Sequence, residues 1–116
     1  MPLVRLQTSA TLDDEQRRAL AQRLSSATAW LLGKPESYLM VVIEPPATML
    51  MGGEDAPAAY LDVRAVGTIS AEQAGALSRE YAKILVTALN IDPERIFTTY
   101  TGVPASHWAH GDKTFG

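Results

Sequence analysis

Apolar and polar positions follow two rhythms along the chain. Leu3 to Thr8 is a short run rich in apolar residues, with the length and composition of a strand. A polar stretch follows, in which Thr11 is placed to cap a helix and Asp13, Asp14 and Glu15 stand near its positive end. Ala19, Leu20, Leu24, Ala27 and Leu31 then recur at three- and four-residue steps, the period of one helical face, until Gly33 and Pro35 stop it. Tyr38 to Ile43 is a nearly unbroken apolar run closed by Glu44, Pro45 and Pro46, which predicts a strand buried on both faces.

The second half repeats this plan. Tyr60 to Val66 reads as a strand, Gly67 as a break, and Ser70-Ala71-Glu72-Gln73 as a reciprocal helix cap. Ala74, Leu77, Tyr81, Ile84, Leu85 and Ala88 make the apolar stripe of the second helix. Asn90 suits a left-handed terminator, and Ile96 to Thr101 form the last strand. Short echoes join the halves: Val4-Arg5 with Val63-Arg64, Glu15-Gln16 with Glu72-Gln73, Ala19-Leu20 with Ala76-Leu77, and Lys34-Pro35-Glu36 with Asp92-Pro93-Glu94. The fold class is therefore α/β (α+β): a duplicated βαβ unit giving a four-stranded mixed sheet with two helices on one face. Leu39 to Ile43 sends large apolar side chains both ways and no third helix covers the second face, so partner subunits are expected to cover it.

With 116 residues the chain has room for one domain, 1–116, and for one core. Hydrophobic residues make up 47% and charged residues 20%, the balance of a folded soluble protein. A net charge of -3 offers no general field for nucleic acid, so none is expected as a partner. No segment approaches the ~20 apolar residues of a membrane span, and the N-terminus lacks a signal-peptide run. The expected location is the cytoplasm, with secretion lacking a signal peptide left open. The absence of cysteine removes disulfides, thiol nucleophiles and thiolate metal sites.

Pro2 carries the most chemical information. A small residue after Met1 favours trimming of Met1, which exposes a secondary amine at the start of a strand. An α-amine has a reference pKa of roughly 7.7 to 8.0, and an apolar pocket disfavours its charged form, so a neutral base near pH 7 becomes available. For an arbitrary Met-Pro chain, the same residue is a plain strand-edge proline. Context separates the two. MPLVRLQTS at the start, GKPESY after the first helix, VRAVGTIS in the middle and DKTFG at the end together resemble the macrophage migration inhibitory factor branch of the tautomerase superfamily, over nearly the whole chain.

The resemblance implies a homotrimer with active sites at subunit interfaces, and a cofactor-independent keto-enol tautomerase acting on phenylpyruvate-like aryl keto acids. It makes Pro2 the base and Lys34 the cation that holds a substrate carboxylate or carbonyl oxygen. On sequence alone Lys34 is equally a solvated cation at a helix C-terminus. The resemblance also places the Val66 backbone amide against substrate, and it puts Phe97, Thr99 and His110 where animal members commonly carry tyrosine, asparagine and tryptophan. Phe97 keeps an aromatic surface without the hydroxyl, while His110 adds a group that titrates near neutrality. Trp108 and Phe115 are expected as apolar walls or as trimer packing.

Ala58 and Leu61 stand where the family has a Cys-x-x-Cys pair, so thiol oxidoreduction by that route is out. His107 and His110 have metal-ligand spacing but no third ligand beside them, and neither metal nor cofactor is expected. Two alternatives stay open. One is another chemistry of the superfamily (hydration, dehalogenation or decarboxylation), for which Arg64 is the only suggestive residue. The other is a binding or signalling protein with a vestigial pocket.

Overall fold

The structure is a computed structural model of residues 1–116, and it arranges them as the two expected units followed by a short hairpin. β1 (Pro2–Thr8), α1 (Asp14–Leu32) and β2 (Met40–Ile43) form the first unit. β3 (Ala59–Val66), α2 (Ala71–Leu89) and β4 (Ile96–Val103) form the second, and β5 (Ala109–His110) pairs with β6 (Lys113–Thr114) at the end. The main sheet runs β2-β1-β3-β4, parallel within each unit and antiparallel where β1 meets β3. Both crossovers deliver their second strand in the same register: Leu3 pairs with Met40 and Ala59 with Ile96, 37 positions on in each case. Val4 and Val63, one of the sequence echoes, are direct partners across the central pair. An equal register in both halves is what duplication of one unit produces.

Each helix is closed by its own residues. Gln73 donates its N–H to Ser70 Oγ at 3.0 Å and its side chain accepts from Ser70 N–H at 3.0 Å, as the sequence predicts. In α1 the cap is Asp13 rather than the expected Thr11. Gln16 N–H donates to the Asp13 carboxylate at 2.7 Å, and the Gln16 side chain accepts from Asp13 N–H at 3.0 Å. Only Asp13 has a Gln three residues on; Thr11 has Asp14 there, which is shorter than the Glu or Gln that closes the reciprocal pair. Gly33 and Asn90 end the helices in left-handed backbone, at φ 63° and φ 54°.

One core lies between the helices and the sheet. Val4 and Leu6 of β1, and Leu61, Val63 and Ala65 of β3, point toward Leu20 and Leu24 of α1 and Leu77, Tyr81, Ile84 and Leu85 of α2. The one polar pair inside is satisfied: Tyr81 OH meets Thr28 Oγ1 at 2.6 Å, and Thr28 donates to the Leu24 carbonyl at 2.7 Å. Burial pushes the Tyr81 hydroxyl well above the ordinary phenol range, so it stays neutral. Leu6 is fully buried at the sheet centre. Leu6→Ala is expected to cost about 3 kcal/mol, and Arg18→Ala, on the exposed side of α1, less than about 0.5 kcal/mol. Thermal melts that shift equally for both would contradict this placement of the core.

Two expectations need correction. The strand read from Tyr38 to Ile43 begins only at Met40, because Glu36–Tyr38 turn as a 3-10 helix. It is an edge strand, with Met40 63% exposed and the rest half-buried, so it is not buried on both faces. The second face of the sheet is mixed where an apolar one was expected. Leu3, Met40, Val42, Tyr60, Val66, Phe97 and Val103 fall on that side, and so do the polar Arg5, Gln7, Glu44, Asp62, Arg64 and Thr99. These residues bond one another: Gln7 to Glu44 at 2.7 Å, Arg5 to Glu44 at 3.4 Å and Arg64 to Asp62 at 3.2 Å. The apolar positions of that face, with the polar ladder running through their middle, are left without cover by the chain's own helices. Met40 and Phe97, at its two opposite edges, are among the exposed large apolar side chains.

Candidate active site

At one end of the sheet, the start of β1, the end of β3 and the end of α1 come together. Pro2 is the first residue of β1, a position that tolerates a residue with no N–H, and it is buried. It lies across from Ala65, next to Val66. Gly67 follows with φ 90°, and a side chain on Gly102 would collide with its carbonyl, so β4 and the turn after β3 approach there backbone to backbone. That close packing fixes where the Val66 peptide sits.

The groups around Pro2 are joined through Val66. The Lys34 ammonium donates to the Val66 carbonyl at 3.4 Å, and Val66 N–H donates to the Met1 carbonyl at 3.4 Å. Lys34 is brought there by the helix stop at Gly33, whose left-handed backbone turns the chain out of α1 toward the sheet. Burial holds the Met1 amine below its ordinary proton affinity, and the neighbouring Lys34 charge adds to the effect. With Met1 attached, the Pro2 nitrogen is an amide and has no basic lone pair.

A cavity of about 590 Å³ opens beside this cluster. Met1, Pro2 and Leu3 form one part of its wall, and Tyr38, Leu39 and Met40 form another. Trp108, His110 and Phe115 complete it from the C-terminal segment. Three aromatic rings meet there: Tyr38 stands edge-on to His110 at 5.6 Å, and Phe115 lies tilted against His110 at 6.2 Å. The Phe115 N–H donates to the Trp108 carbonyl at 3.0 Å, which ties the two ends of the hairpin and brings both side chains to one wall.

Of the residues singled out in the sequence, Pro2, Trp108, His110 and Phe115 line this cavity, and Lys34 and Val66 flank its Pro2 end. Phe97 and Thr99 do not reach it within one chain. They lie on β4, the edge strand remote from β2, paired with Tyr60 and Asp62. The level of Pro2 on that strand is Gly102, five residues from Phe97, or roughly 16 Å along a strand. Thr99 is bonded to Tyr60 at 2.7 Å, and Phe97 projects from the edge, 62% exposed. The sequence reading missed Tyr38 as a wall residue because it extended β2 over it. Pro35-Glu36, matching the Pro93-Glu94 turn of the second unit, was the available signal.

The chain compares closely with known proteins. The family description "Macrophage migration inhibitory factor" matches residues 1–116. D-dopachrome decarboxylase of Mus musculus is 35% identical over 97% of this chain and 94% of its own length. D-dopachrome decarboxylase-B of Xenopus laevis is 33% identical over 96% and 92%. Among solved structures, macrophage migration inhibitory factor of Toxoplasma gondii superposes with a TM-score of 0.94 at 30% identity, covering 97% of this chain and 99% of its own. The homologue from Prochlorococcus marinus superposes with a TM-score of 0.92 at 31% identity, covering 98% and 99%. Sequence, fold and cavity agree, and the chain belongs to the macrophage migration inhibitory factor family, within the tautomerase superfamily.

Proposed function

We propose that this protein is a cofactor-independent tautomerase for phenylpyruvate-like aryl keto acids, with Pro2 as its base after removal of Met1. The observation that carries the reading is what Met1 occupies. Its carbonyl takes the Val66 N–H, its amine lies under the Lys34 charge, and Met1 itself forms part of the wall of the aromatic-lined cavity. Removal of Met1 turns the Pro2 nitrogen into a secondary amine, frees the Val66 N–H and leaves room for a substrate between them. The same burial and the same lysine then act on the Pro2 amine and favour its neutral form.

In this reading neutral Pro2 takes a proton from the carbon next to the keto group of the bound acid, and the electron pair of that C–H bond becomes the enolate. Lys34 and the Val66 N–H hold the developing negative charge, and the protonated amine returns its proton to the enolate oxygen. The proton and charge balance without a cofactor. The Tyr38, Trp108 and Phe115 rings provide the apolar bed for the aryl group. The direct test is absorbance of the enol of phenylpyruvate as it converts to the keto acid; a mature protein that leaves the uncatalysed rate unchanged would refute the activity. A second reading is favoured by the D-dopachrome decarboxylase relatives: the same base and cation acting with loss of carbon dioxide. Release of carbon dioxide from a D-dopachrome substrate, measured beside the phenylpyruvate assay, separates the two.

Assembly as a homotrimer belongs to the same proposal. Phe97 and Thr99 reach an active site only if β4 of one subunit borders the cavity of another, and the exposed apolar side chains at the margins suit such contacts. Sedimentation equilibrium is expected to give three times the 12.5 kDa chain mass. In that assembly Phe97→Tyr changes preference among aryl keto acids and leaves the mass unchanged. A stable monomer in sedimentation would remove the interface model.

A further inference from the structure

The cavity holds one ionisable ring that the proposed reaction does not use. His110 lies on β5 in the cavity wall, between the Tyr38 and Phe115 rings, and no group of the chain takes a hydrogen bond from its imidazole. No carboxylate lines the cavity. The charged or titratable groups around the imidazole are few. Tyr38 faces it from the turn before β2, Lys113 is its cross-strand partner on β6, and Asp112 sits in the intervening turn. From β1 the terminal amine shares the cavity, with Lys34 beside that amine. Protonated His110 thus adds a second positive charge to a pocket whose first, Lys34, serves the reacting end.

We propose that His110 is a specificity-determining residue, selecting substrates that carry a second anionic oxygen group at the end remote from the reacting carbon. The proposal rests on the tautomerase reading only for the orientation of the substrate; the anion preference is a property of the cavity itself. The sign follows from charge. An anion beside the imidazole is held more strongly when the ring carries its proton, so affinity for the second anion falls as rising pH removes that charge. An apolar aryl end has no such dependence.

The experiment uses the mature full chain and two unreactive probes, phenylacetate and 4-carboxyphenylacetate, which share one carboxylate and differ in the second. Dissociation constants are measured from pH 5.5 to pH 8, together with NMR titration of the His110 ring. The dicarboxylate is expected to bind about five-fold tighter at the acid end than at the alkaline end, the scale of a partly screened charge pair. Any pH dependence that the Pro2 amine imposes on the carboxylate both probes share cancels in the ratio of their affinities, so the five-fold change is read as that ratio, and the His110 titration is expected to move upward only with the dicarboxylate. His110→Gln, which keeps hydrogen bonding without the charge, flattens the pH dependence, and His110→Phe also removes the preference. An unshifted His110 titration with bound dicarboxylate, or an equal pH dependence in His110→Gln, overturns the proposal. Because these readouts are binding measurements, they hold even if phenylpyruvate is not turned over, an outcome that defeats the tautomerase reading and leaves this one standing.

Discussion

A preparation that retains Met1 is expected to show no turnover of enol phenylpyruvate above background, while the mature chain is active. The two differ in three ways at one place. The Pro2 nitrogen is an amide in the first and a basic amine in the second. The Val66 N–H is occupied by the Met1 carbonyl at 3.4 Å in the first, and Met1 stands in the cavity wall beside Pro2. General-base catalysis alone is worth about 10²- to 10⁴-fold, so its loss together with an occupied Val66 N–H brings turnover down to background. Pro2→Ala, trimmed to a primary amine, keeps the nitrogen in place but changes its basicity and its fit at the strand start. It is expected to lose about 10²-fold in kcat/KM and to retain the thermal stability of the parent. Mass spectrometry of each sample beside its activity makes the comparison decisive, and full activity with Met1 intact would be fatal to the mechanism.

Lys34→Ala is the second large effect, and it differs in kind. The ammonium makes one hydrogen bond at 3.4 Å, to the Val66 carbonyl, so removing it leaves the fold nearly untouched. What is lost is the positive charge beside the developing enolate, a contribution of about 10²- to 10³-fold. In the chain with Met1 the same charge adds to burial in lowering the proton affinity of the terminal amine; in the proposed mature chain it stands beside the Pro2 amine, so its removal is expected to move that titration upward as well. The acid limb of kcat/KM is therefore expected to shift to higher pH in Lys34→Ala, in addition to the lower plateau. Lys34→Arg restores the charge and with it the parent limb. An unchanged acid limb in Lys34→Ala would show that the lysine and the amine are not electrostatically coupled.

Much of the fold was legible because local and global signals agreed. The Ser70 cap, the Gly33 and Asn90 stops and the apolar stripe of α2 all state in sequence what the structure repeats in space. The failures have a common cause, in that sequence shows apolar character but not which neighbour a side chain meets. The run from Tyr38 to Ile43 is apolar enough for a buried strand, yet its first part turns as a 3-10 helix and the rest lies at a sheet edge. The polar ladder on the open face was hidden because Arg5, Glu44 and Asp62 come from three separate segments and meet only after pairing fixes the register. The hairpin of β5 and β6 is two residues per strand, too short to leave a periodic signal.

The candidate site divides in the same way. Pro2, Lys34 and the Val66 amide are expectations of the resemblance, and in the structure the Val66 peptide bonds both Lys34 and the Met1 carbonyl beside Pro2. Trp108 and Phe115 were ambiguous between cavity wall and packing, and both line the cavity. Phe97 and Thr99 lie too far along β4 to act within their own chain. No pattern in a single sequence tells which of these positions are shared between subunits, because that depends on packing between copies.

Proton transfer in the proposed reaction requires a Pro2 amine that is neutral at working pH. Its most direct test is NMR titration of the mature protein labelled with ¹⁵N-proline, following the Pro2 nitrogen alongside the pH dependence of kcat/KM. The expected result is an amine pKa lowered below that of a free N-terminal proline, coinciding with the acid limb of the rate profile. A Pro2 amine that titrates at or above the free value, or a rate profile that ignores its titration, would contradict it.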